Sequence, residues 1–195
     1  MGVVALPKLS TLALLVHIAG HEAVDNYGLA ISKATGYPSG TVVPALNRMT
    51  DRDGWLARFD QPTATGRPRL VYAFTEKGTA VVAELVDLLS PRIAVLAQSD
   101  AAPSNDGTKV NISSLWLLSA ALMSGGAIKG YSDLLRPLTH QAVYAEMARL
   151  VESAWFETDG GMHRLTPRGL AMAAALGQQW QPKLDAAHRK SQTPK

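Results

Sequence analysis

The 195 residues contain no cysteine. That absence removes disulfide frameworks, thiolate nucleophiles and cysteine zinc sites together, and it fits a reducing compartment, so a cytoplasmic location is expected. Charge of one sign is scarce as well. The formal net charge is +3, and the segment 183–195, with Lys183, Arg189, Lys190 and Lys195 against Asp185, accounts for all of it. The rest of the chain sums to zero, so any argument for nucleic acid has to rest on local clusters. Uninterrupted apolar runs are missing too. Residues 110–128 carry no charge and approach the length of a membrane span, but they hold Asn111, four serines and Gly125-Gly126, which suits a buried soluble helix and no membrane partner. Residues 9–19 could pass for the apolar part of a signal peptide, yet only Lys8 precedes them and no clear small-residue cleavage site follows. Catalytic signatures are also lacking. There is no Gly-x-Ser-x-Gly elbow, Gly-rich phosphate loop or metal-ligand cluster, so a non-enzyme without cofactors is expected.

What the chain does have is apolar content for a core, at 47% hydrophobic residues, and an internal repeat. "LSTLALL" at 9–15 matches "ISSLWLL" at 112–118. "VVPALNRMTDRDGWL" at 42–56 parallels "VYAEMARLVESAWF" at 143–156 with one deletion, aligning Arg48 with Arg149 and Trp55 with Trp155. "FTEKGTAVVAEL" at 74–85 parallels "LTPRGLAMAAAL" at 165–176. Three matches in one order divide the chain into two similar lobes. They are residues 1–96 and 112–182, joined by a linker at 97–111 rich in Ser, Asp, Asn, Pro and Gly, and followed by a flexible basic tail at 183–195.

Each lobe reads as three helices, a short β ribbon and a further helix. In the first lobe the helices are predicted near 10–20, 28–34 and 41–51, the ribbon at 56–74, and a long helix from 76 that breaks or kinks at Pro91. The second lobe has a shorter ribbon, 156–165. The expected fold is mainly α with small β wings: two tandem winged helix-turn-helix domains, each with a third helix suited to a DNA major groove. Arg67 and Arg69 fall on a turn stiffened by Gly66 and Pro68, where fixed guanidinium groups suit phosphate or narrow-groove contact. Behind them Leu70, Tyr72 and Phe74 are predicted to anchor one face of the wing. Ser39, Thr41 and Val42 are expected to face the groove, with Leu46 and Met49 turned inward and Pro44 tolerated in the first helical turn. Arg48 and Arg52 would lie one turn apart on the same side, partly offset by Asp51 and Asp53.

The first lobe resembles the PadR-type transcriptional regulators in "GYPSGTVVPALNRMTDRDGWLARF" and "GRPRLVYAFTEKG". The positions that carry the resemblance are Gly40, Thr41, Pro44, Leu46, Arg48, Gly54, Gly66, Pro68, Arg69, Thr75 and Gly78. It covers a little under half the chain. Val43 stands where that family usually has Tyr, and a second winged-helix lobe stands where many relatives end in a dimerising helical segment. The resemblance implies a regulator of transcription, commonly a repressor, that binds double-stranded DNA as a homodimer and in some members answers to a small aromatic effector.

The second lobe carries a wing with Glu157 and Asp159 against Arg164, without the basic tip of the first. Its third helix starts at Thr139, a capping residue, and offers His140, Gln141 and Tyr144 to bases or backbone. Trp55 and Trp155 are expected as core plugs, and Tyr27 and Tyr131 as equivalent packing residues. His17 and His21 are one helical turn apart with Glu22 adjacent. Ile18 follows His17 where a zinc helix has its glutamate, so ordinary helix histidines and no metal are expected. Trp180 is a candidate ligand or dimer contact, against the alternative of a core tryptophan. The function expected is sequence-specific DNA binding by a transcriptional regulator. The rival reading is a winged-helix protein-interaction scaffold, because fold alone does not license function.

Overall fold

The computed structural model describes residues 6–64, 66–104, 107–130 and 138–191. Among these the chain is mainly helical with two small antiparallel sheets. In order come α1 (Leu9–Gly20), a 3-10 turn (Ala23–Asp25), α2 (Gly28–Thr35), α3 (Ser39–Asn47) running into a π turn (Arg48–Arg52), β1 (Leu56–Gln61), β2 (Arg69–Phe74) and α4 (Glu76–Ala97). Then follow α5 (Ile112–Met123), β3 (Ala127–Lys129), α6 (His140–Glu152), β4 (Phe156–Asp159), β5 (Met162–Leu165) and α7 (Pro167–Ser191). The stretch 131–137, where the repeat places Tyr131 and the second helix of the second lobe, lies outside the described residues, as do Thr65 and the last four residues of the chain.

Two units make up the molecule: Leu9–Val86 with the 183–191 end of α7, and Asp87–Pro182 with residues 6–8. The division falls inside α4 and α7, not at residues 97–111. Pro91 and Pro182 sit within continuous helices, so neither breaks its element. The reason is burial. Leu89, Ile93 and Leu96 of α4 are buried core of the second unit, where Arg92 also lies over the Trp116 ring at 3.3 Å from its centroid. Residues 183–191, expected as a flexible tail, are helical: Leu184 and Ala187 are buried, and Lys190 pairs with Glu22 at 2.8 Å.

The repeat recurs as matched geometry inside each unit. In the first, Arg48 Nη2 donates to Thr11 Oγ1 at 2.9 Å; in the second, Arg149 Nη2 donates to Ser114 Oγ at 3.0 Å. After the third helix the chain turns back through a left-handed residue, Gly54 (φ 66°) or Ala154 (φ 58°). Trp55 N–H then bonds the Met49 carbonyl at 2.8 Å, and Trp155 N–H the Leu150 carbonyl at 2.9 Å. Thr75 and Thr166 each accept from the N–H of the glycine three residues on, Gly78 or Gly169, at 3.1 Å. A Cβ on either glycine would stand about 2 Å from a tryptophan carbonyl oxygen, 1.9 Å at Gly78 and 2.1 Å at Gly169, so both positions require a bare backbone.

The units differ in their sheets. β1 and β2 pair from Leu56↔Phe74 to Gln61↔Arg69, leaving a seven-residue connection, residues 62–68. β4 and β5 close on Gly160-Gly161 and are joined by β3 in the order β3-β5-β4. In the first unit the third strand shrinks to a single bridge, Tyr27↔Val71. The residue that pairs with β5 at the corresponding place is Lys129, opposite Met162. In β2 both Val71 and Tyr72 are buried while Leu70 is 46% exposed, so Leu70 does not anchor the strand as alternation suggested.

Candidate nucleic-acid interface

α3 starts at Ser39, two residues earlier than its apolar pattern suggests, after Pro38 in extended conformation (ψ 150°). Val42, Ala45, Leu46 and Met49 form the inward stripe, and Val42 is fully buried. Val42 is therefore a core residue and not a groove contact. The outward face carries Ser39, Gly40, Thr41, Pro44 and Asn47, together with Val43 at 43% exposure. Pro44 sits in the second turn, where its missing N–H removes the donor four residues on from the Gly40 carbonyl.

Arg48, which its place one turn before Arg52 on the third helix marks as a candidate DNA contact, has inward partners. Its guanidinium is spent on Thr11 and on Asp53, at 3.5 Å, so it ties α1 to the end of α3 and is not offered outward. Arg149 holds the equivalent place in the second unit, with Glu146 in place of Asp53. Glu146 is buried. Burial alone would raise its pKa, but hydrogen bonds from Arg149, Ser114 and Asn111, with the Arg149 charge, hold it below the ordinary carboxylate range.

The two wing arginines are not alike. Arg67 is exposed at the tip, where its carbonyl accepts from Thr63 Oγ1 at 3.2 Å. Arg69 is half-buried: Nε donates to Gln61 Oε1 at 2.6 Å, Nη2 donates to the Val24 carbonyl at 3.3 Å, and the guanidinium lies 4.4 Å from the Tyr27 ring centroid. Stacking on an aromatic face suits a planar guanidinium and fixes its direction. Gln61 was not singled out from sequence, and Tyr27 was expected only as a packing residue. The only trace of Gln61 was its place at the strand end opposite Arg69.

α3 and the wing open onto one cleft of about 520 Å³, lined on the helix side by Val43 and on the wing side by Asp60, Arg67, Arg69 and Leu70. The surrounding surface is not uniformly basic. Arg58 pairs with Asp51 at 3.6 Å, and Val24, Leu29 and Phe59 are each more than half exposed.

In the second unit His140, Gln141 and Tyr144 are exposed at the start of α6, with the His140 and Tyr144 rings stacked 5.6 Å apart. Thr139 caps that helix by accepting from the Ala142 N–H at 3.3 Å. Its short wing shows Glu157, Asp159 and Arg164 to solvent, and His163 shares a 2.9 Å hydrogen bond with Thr158. Trp180, a candidate ligand or dimer contact with a core tryptophan as the alternative, is 3% exposed and therefore takes the core role. His17 and His21 stack at 4.0 Å, and His21 Nδ1–H donates to the His17 carbonyl at 2.8 Å. Among the described residues no group of three or more His, Cys, Asp or Glu could hold a metal, and no helix is long and apolar enough to cross a membrane. Compared with known protein families and with curated proteins, the chain matches none.

Proposed function

We propose that this protein is a sequence-specific DNA-binding regulator of transcription, a repressor built from two tandem winged helix-turn-helix units, with the first unit as the principal reader. The observation that carries the reading is the cleft onto which α3 and the arginine-bearing wing both open. A helix whose exposed first turn offers Ser39 and Thr41 hydroxyls, beside a loop that offers Arg67, is the division of labour DNA recognition uses: polar side chains for base edges, cations for phosphates. Arg69, fixed against Tyr27 and Gln61, lines the same cleft. α6 supplies a second reader through His140, Gln141 and Tyr144, without an equivalent basic wing.

Selection of duplexes from a random library by the full chain tests this. A regulator enriches one motif, and Thr41→Ala relaxes the preference at a subset of its positions; a chain that enriches no motif is not a regulator of this kind. The exposed Leu29, Val43, Phe59 and Leu70 favour a second reading, an interaction scaffold that seats a protein on the same face. That reading predicts no enriched duplex and a partner whose binding is lost in Val43→Asp.

A further inference from the structure

A second cavity, separate from the α3 and wing cleft, lies within the first unit among α1, the end of α2 and the 183–186 stretch of α7. It encloses about 270 Å³. His17, His21, Lys183 and Thr35 supply its polar lining, and Val16 and Ala34 contribute to apolar walls. No acidic residue lines it. His17 Nε2 is shielded from solvent and has no hydrogen-bond partner. Such an atom costs free energy unless something fills the space beside it. His21 cannot do so through Nδ1, whose proton is committed to the His17 carbonyl.

We infer that this cavity binds a small organic carboxylate, with the carboxylate facing Lys183 and the His17 and His21 imidazoles and the carbon chain against Val16 and Ala34. Lys183 is cationic, no acid stands in the lining and both imidazoles can take up a proton, so an anion is the better complement than a cationic ligand. The volume is below that of drug-sized pockets and suits a short-chain acid. Burial, then the nearby His21 and Lys183, lowers the His17 pKa to about 4, in keeping with a buried imidazole close to Lys183.

The test uses the full chain without DNA, so its failure leaves the nucleic-acid reading untouched. Histidine ring resonances are followed by NMR during titration with butyrate, and in parallel with n-butylammonium at matched ionic strength. Butyrate is expected to shift the His17 and His21 rings saturably, leaving His140 and His163 in place, while n-butylammonium shifts neither. Lys183→Met is expected to weaken butyrate binding about tenfold or more, and Lys183→Arg to retain it. Absence of a saturable butyrate shift, or an equal response to n-butylammonium, overturns the inference on the wild-type protein alone. So does a folded Lys183→Met variant that binds butyrate as the wild type does.

Discussion

Ala154 holds a left-handed backbone (φ 58°) at the place where the first unit has Gly54 (φ 66°). A left-handed L residue costs about 1–2 kcal/mol, against roughly 0.5–1 kcal/mol of extra chain entropy lost by glycine, so Ala154→Gly should stabilise the protein by about 0.5–1 kcal/mol. Chemical denaturation measures it, and Gly54→Ala should move stability the opposite way. His17 sets a pH dependence with a definite sign. The unfolded chain takes up a proton near 6.5, whereas the folded one resists until about 4 because of burial, then His21, then Lys183. The stabilisation is therefore complete above about 6.5 and is lost as pH falls toward 4. With allowance for solvent screening this amounts to about 1–2 kcal/mol, and the denaturation midpoint of His17→Gln should be correspondingly flatter across that window.

At the scale of elements, the two Thr-x-x-Gly helix starts are the tightest packing points in the repeat. Adding a methyl group at Gly78 or Gly169 forces it onto the Trp55 or Trp155 carbonyl, so Gly78→Ala and Gly169→Ala should each cost roughly 2–4 kcal/mol in thermal or denaturant unfolding. These starts were legible in sequence because the residues that make them are local and recur in order. The described helices, both ribbons and the Arg48–Arg149 alignment were legible for the same reason. The direction of Arg48 was not, because its partner Thr11 is 37 residues away and only tertiary packing brings them together. Val42 was misplaced on the groove side although it lies four and seven residues before Leu46 and Met49, a spacing that sets all three on one helix face. The helix through Pro182 was hidden by the usual meaning of proline, which here is overridden by the burial of Leu184 and Ala187. The cleft was legible only from its basic side, since Tyr27 and Gln61 meet Arg69 through β pairing and not through sequence proximity.

For the whole molecule, two units share one design and differ in what they present. One carries a long arginine-bearing loop between its strands and exposed hydroxyls on α3; the other carries a glycine turn flanked by acids and an exposed His140 and Gln141 on α6. Charge is near balance outside the segment 183–195, so specific binding should come from a few placed side chains and not from a general field. The most direct test is fluorescence anisotropy of an enriched duplex across a series of salt concentrations, for the wild type and for Arg67→Ala. Loss of one phosphate contact should weaken binding severalfold to specific and random duplexes alike and lower the slope of log K against log salt by about one. The account predicts that result, with wild-type binding that persists near physiological salt. Wild-type binding that disappears there, or an Arg67→Ala variant with the wild-type affinity and slope, would contradict it.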